Sequence, residues 1–191
     1  MKVRKILVES HFLETEPLRV FTIAYRYHLE PEAKTAAKHL LHHPSLPLDR
    51  EELSYIAPKD LMMLDLYRQK CSQVVLGLTS NLEWVKRSQT HRFYKWWTDC
   101  CHCRSKIDTR FMMHSTYARE WWVEYMEETM SALRETPCAL AVKKRLPKAV
   151  ERANNCPTCR KKASVNMAEF TKIFAEEIDK AIAEIPLYIQ F

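Results

Sequence analysis

Glycine is almost missing from this chain: Gly77 is the single one in 191 residues. Tight hairpin turns favour residues that accept positive φ, so this scarcity argues against a hairpin-rich β fold. It also excludes a glycine-rich phosphate loop and a nucleophile elbow, neither of which one glycine can build. No apolar run approaches the length of a membrane span. The opening "MKVRKILVESHFLE" is too charged, and its apolar part too short, for a secretory signal. The expected site is therefore cytoplasmic or nuclear. What remains is 47% hydrophobic residues, enough for a core, and a net charge of +6, which permits acidic partners without demanding nucleic acid. A mainly α fold is expected, with one domain or two small ones.

Helical spacing recurs along the chain. Residues 2–9 show one helical turn pattern. Pro17 opens a helix over 16–29, with Leu18, Phe21, Ala24 and Tyr25 in a stripe that Ile23 and Tyr27 widen, so this helix is expected to be well buried. Pro31 opens a second over 30–43, which "HPSLPL" ends. Asp49 is placed to cap the turn "REELSYI", and Pro58 opens a long helix over 58–78. Residues 80–110 lose the helical period and read as an irregular insert. A strong helix is expected over 109–135, with Met113, Tyr117, Trp121, Tyr125, Thr129 and Leu133 in one stripe and Ala118, Trp122, Met126 and Met130 beside it. Residues 137–155 form one helix interrupted by Pro147, or two short ones. A last helix over 160–185 carries Phe170, Ile173, Phe174, Ile178, Ala181 and Ile182 on its apolar face, with Pro186 as its stop and "LYIQF" as an extended tail.

Seven cysteines are present, four of them in two Cys-x-x-Cys pairs: Cys100 with Cys103, and Cys156 with Cys159. In a reducing compartment such pairs point to metal or redox sites before structural disulfides. Zinc takes four tetrahedral ligands, and a two-residue gap lets both sulfurs of a pair reach one ion. If the helices at 109–135 and 137–155 form a hairpin, the two pairs meet, and a Cys₄ zinc site clamps the insert onto the start of the last helix. Cys101 and His102 could each replace a member of the first pair. A second reading is thiol–disulfide chemistry at "CPTC", because a helix N-terminus lowers a thiol pKa; no strand leads into Cys156, as a thioredoxin-type site would require. A third is filler, which suits Cys71 and Cys138 in their apolar helical surroundings.

Other motifs carry less. The string "HLE" (28–30) matches part of a deaminase zinc signature, but it sits at a bulky helix end. "HLLHHP" places histidines where a helix dipole favours cations. Trp96, Trp97, Trp121 and Trp122 suit core packing better than base stacking. The basic runs "KKRLPK" and "RKK" fit solvated helix faces, and a nucleic-acid-binding zinc protein is the lesser alternative.

"PLRVFTIAYRYHLEPEAKTAAKHLLHHPSL" followed by "LSYIAPKDLMMLDLYRQKC" resembles the region after the BTB/POZ core in BTB-domain proteins of mushroom-forming fungi. "CCHCRSKIDTRFMMHSTYAREWWVEYMEETMSAL" and "CPTCRKKASVNMAEFTKIFAEEIDKAI" are similar to that family's C-terminal part. The resemblance implies a non-enzymatic protein-interaction adaptor. Residues 1–78 would be the end of the BTB-like fold with BACK-like helices, and 79–191 a Cys-x-x-Cys-pinned helical region. It implies protein partners such as a cullin-type ubiquitin ligase or a transcriptional factor, and carries over Cys100, Cys103, Cys156 and Cys159 as the metal ligands. "MKVRKILVESHFLE" would fall at a late BTB helix, so the strand-rich front of that fold has no counterpart and the chain reads as a truncated member.

Overall fold

The computed structural model describes residues 2–46, 51–87, 102–103, 105–106 and 118–189. The described chain is mainly helical, as its near-absence of glycine implies. Gly77 itself makes no turn. It lies inside a helix, and no described atom comes within 4 Å of the position a Cβ would take. Gly77→Ala should therefore raise stability by about 0.5–1 kcal/mol, read as a shifted denaturant midpoint at unchanged slope.

Two compact units divide the chain, Met1–Cys71 with Ile185–Phe191, and Ser72–Glu184. The sequence places the boundary at residue 78, seven residues later.

The first unit begins with α1 (Lys2–Leu7), α2 (Ser10–Thr15), α3 (Pro17–Arg26) and α4 (Glu30–Leu40). Proline stands in the first turn of both α3 and α4, where its missing N–H costs nothing. The turn between them is a Schellman-type cap: His28 takes φ 54°, and the Leu29 N–H reaches the Ala24 carbonyl at 2.8 Å. The "HLE" string thus serves a helix end. On α4, Ala33, Ala36 and Ala37 are buried, and small side chains there let α3 approach closely. The expected burial of α3 needs correction. Ile23 is 37% and Tyr27 67% exposed, while Pro17, Val20 and Thr22 turn inward. The helix is amphipathic, with its apolar face centred on Leu18, Phe21 and Ala24.

A 3₁₀ turn (Glu51–Tyr55) leads to α5 (Pro58–Ser80); Asp49, the expected cap, lies outside the described residues. Leu64, Tyr67, Cys71, Val75 and Thr79 follow one another on the buried face of α5. Near its start the buried Asp60 accepts a hydrogen bond from the Tyr25 hydroxyl at 2.7 Å.

The second unit holds the rest of α5, then α6 (Glu83–Arg87), α7 (Glu120–Glu135), α8 (Ala139–Lys143), α9 (Leu146–Asn154) and α10 (Ala163–Ala183). Residues 80–110 are thus not wholly irregular. The Asn81 side chain accepts the Glu83 N–H at 2.9 Å and starts α6. That helix buries Trp84, whose ring stacks on Phe174 at 4.9 Å and whose indole N–H bonds the Leu78 carbonyl. Around this pair Trp122, Tyr125, Met126, Phe170 and Ile178 complete the core. On α10 Ile173 and Ala181 are only half-buried, and Met167, Thr171 and Ala175 take the inner positions.

Two short helices, not one broken helix, follow α7, and Pro147 stands in the first turn of α9. Arg152 pairs with Glu124 at 3.2 Å and with Glu128 at 2.6 Å, while Lys148 pairs with Glu128 at 2.9 Å. Later residues of α9 meet earlier residues of α7, so the two helices run antiparallel. This is the expected hairpin, and it returns the end of α9 to the start of α7.

Candidate metal centre

The segment before α7 is extended. The sequence extends the helix back through 118–119, but β2 (Ala118–Arg119) pairs antiparallel with β1 (Ser105–Lys106), Ser105 opposite Arg119 and Lys106 opposite Ala118. The ladder satisfies backbone groups that a helix would otherwise use, and Arg119 at φ −64°, ψ 133° is the extended residue from which α7 starts. Residues 109–117 lie outside the described part. Cys103 stands two residues before β1, so this ladder fixes it at the start of α7.

From the other side, α9 ends at Asn154, and the chain turns through Cys156 into a 3₁₀ turn (Cys159–Lys161) before α10. The Cys156 N–H bonds the Ala153 carbonyl, and the Arg160 N–H bonds the Cys156 carbonyl at 3.0 Å. The hairpin brings this turn to the ladder. His102 Nδ1 lies 3.1 Å from the Thr158 hydroxyl, which ties the two segments together.

The sulfurs of Cys103, Cys156 and Cys159 all lie within 4.8 Å of one another, a group that could hold a metal ion. Cys103 and Cys159 are 56 residues apart in sequence and 3.2 Å apart at their sulfurs. Cys156 is 7% and Cys159 3% exposed, and Cys103 is half-buried. Three of the four expected ligands are thus together. Cys100, the fourth, and Cys101 lie outside the described residues. His102 is exposed and stands outside the thiol group, its ring turned to Thr158.

The three thiols differ electrically. Burial opposes ionisation of Cys156, but the Cys159 N–H, the Cys103 thiol and the Thr158 N–H hydrogen-bond its sulfur, and its pKa falls to about 6. Burial pushes Cys159 up, although Cys103 and the Arg119 guanidinium, 3.2 Å from its sulfur, pull the other way. Metal-free protein should therefore show one thiolate absorbance step near pH 6. The folded value lies below the ordinary 9.0, so this thiolate stabilises the fold above pH 9, and its contribution drains as pH falls through 6. A single step near 9 would contradict this. By contrast Cys71 and Cys138 are buried core thiols whose pKa burial raises, Cys71 to about 11. They behave as the sequence suggests for filler.

A cavity of about 320 Å³ opens beside the thiols, lined among others by His102, Cys103, Glu124, Arg152 and Cys156. Sequence reasoning missed the two helpers of this site, Arg119 and the β ladder. A two-residue strand leaves no period to detect, and Arg119 falls inside the helix expected over 109–135. Among the described residues no helix is long and apolar enough to cross a membrane. No protein-family profile, curated protein or solved structure matches this chain.

Proposed function

We propose that this chain is a non-enzymatic protein-interaction module whose thiol centre is a structural zinc site. The observation that carries the reading is the burial of Cys156 and Cys159 beside the sulfur of Cys103, which lies 56 residues before Cys159. A closed thiolate cluster holds chain segments together, whereas a catalytic zinc keeps an open position. The spacing supports zinc. Four sulfurs placed tetrahedrally at about 2.3 Å from zinc stand roughly 3.8 Å apart, inside the 4.8 Å bound of this group. The N–H groups aimed at Cys156 supply the outer hydrogen bonds that tune such ligands. Cys100 is the proposed fourth ligand.

The resemblance to BTB-domain proteins supports the adaptor role, with a cullin-type ligase scaffold or a transcriptional factor as partner class and the cytoplasm or nucleus as the compartment. The test is co-elution of the zinc-loaded chain with a cullin N-terminal domain, alongside a disulfide-reduction assay. One zinc per chain, no turnover and a stable complex are expected. Turnover would contradict the reading, and a chain that elutes alone would remove the cullin partner.

One observation favours a second reading. The lowered pKa of Cys156 also suits a nucleophilic thiol, so thiol–disulfide exchange at Cys156 and Cys159 is the alternative. Multiple turnovers that vanish in Cys156→Ser would establish it.

A further inference from the structure

The Cys103–Cys159 contact is direct. Its 3.2 Å separation falls between the roughly 3.8 Å of neighbouring thiolates on zinc and the roughly 2.05 Å of a disulfide. The two sulfurs also differ in access. Cys103 is half-buried and lines the cavity, together with Cys156. Cys159 is 3% exposed and is not among the cavity-lining residues. Of the two sulfurs that line the cavity Cys103 is the less buried, so a small oxidant reaches it more readily, and the Cys159 sulfur stands directly behind it.

We propose that Cys103 and Cys159 form an oxidation-driven cross-link that takes over the clamp when the metal leaves, with a hydroperoxide as oxidant. In the first step the Cys103 sulfur, having released its proton, attacks a peroxide oxygen. An S–O bond forms, the O–O bond breaks, and the departing hydroxide takes a proton to become water. In the second step the Cys159 sulfur, having released its proton, attacks the Cys103 sulfur. The S–S bond forms, the S–O bond breaks, and the leaving hydroxide takes up a proton as the second water. Two thiols and one hydrogen peroxide thus give one disulfide and two waters, the two electrons coming from the two sulfurs. Cys156 stays reduced. This is not the neighbouring-pair chemistry of "CPTC": the bond joins the segment before β1 to the turn after α9, the same two segments that the metal holds. Loss of metal on oxidation rests on the zinc reading above. The cross-link does not.

The experiment treats the full chain, both zinc-loaded and stripped by chelator, with hydrogen peroxide, then alkylates free thiols. Non-reducing digestion and tandem mass spectrometry assign the bridge, since Cys156 and Cys159 share one tryptic peptide. In stripped protein the expected main product is Cys103–Cys159 with Cys156 alkylated. Cys156→Ser should keep that bridge and Cys103→Ser should abolish it. In loaded protein, zinc release should track bridge formation one for one. A Cys156–Cys159 bridge, a bridge through Cys100 or Cys101, or no bridge at all would overturn the proposal. Should the bridge form in a chain that never binds zinc, the zinc reading fails and the cross-link stands.

Discussion

Cys159→Ser should abolish metal binding at the proposed site, taking the content from the expected one ion per chain to near zero. Cys159 is the hub of the centre: its sulfur contacts Cys103 and the Arg119 guanidinium, both at 3.2 Å. Removing an outer-sphere partner costs metal affinity roughly 10–100-fold, and removing a ligand should cost more. The stability loss is expected to be only a fraction of the roughly 10–16 kcal/mol attached to structural zinc in small fingers. Those domains have little else to hold them. Here the Trp84, Trp122, Phe170 and Phe174 cluster gives the unit a core of its own. The variant should therefore stay folded by far-ultraviolet circular dichroism. Its ladder segment should come free, read as faster amide exchange at Ser105, Lys106 and Arg119. Unchanged metal content in this variant would exclude Cys159 as a ligand.

Trp122→Ala should destabilise the second unit by about 3–5 kcal/mol, the range for deleting a large buried aromatic ring. Trp122 is fully buried and meets Phe170 edge-on at 6.1 Å. Nothing of that shape can refill the space, because Met126, Leu133 and Phe174 around the core are themselves fully buried. Chemical denaturation followed by circular dichroism measures the loss as a lower midpoint. A loss below about 1 kcal/mol would contradict this and mean that the core collapses around the gap. Metal content of the folded variant should not change, which separates core from clamp.

Much of the architecture was legible because helices advertise themselves by period. Pro17, Pro31 and Pro58 mark helix starts, and the stripe through Trp121, Tyr125 and Leu133 gives a buried face; on the helix after Pro58 the aligned Leu61, Leu64, Tyr67 and Cys71 are buried except Leu61, which is half-buried. The hairpin enters the sequence reading only as the condition that joins the two cysteine pairs; the ion pairs of Lys148 and Arg152 with Glu124 and Glu128 that build it escape that reading, because "KKRLPK" fits a solvated helix face equally well. What escaped was set by tertiary contact. Ile23 and Tyr27 fit the apolar pattern of α3 yet stay exposed, since they line an open cleft beside the 3₁₀ turn and not the packed core. Ala118 continues the apolar spacing of α7, and Arg119 falls inside the same expected helix, but both are extended, since β1 offers them hydrogen bonds that no local rule announces. Trp84 looked like part of an aromatic insert and proved to be core. At the site, the matched spacing of the pairs picked out Cys103, Cys156 and Cys159 correctly as neighbours, while the division of charge between them depends on N–H directions that only a folded turn defines.

The claim on which the account stands is that thiols from both pairs share one ion. X-ray absorption at the metal edge of the purified chain tests it most directly. The account predicts zinc at about one per chain with a shell of three or four sulfurs near 2.3 Å. A protein without metal, or a shell of oxygen and nitrogen alone, would contradict it.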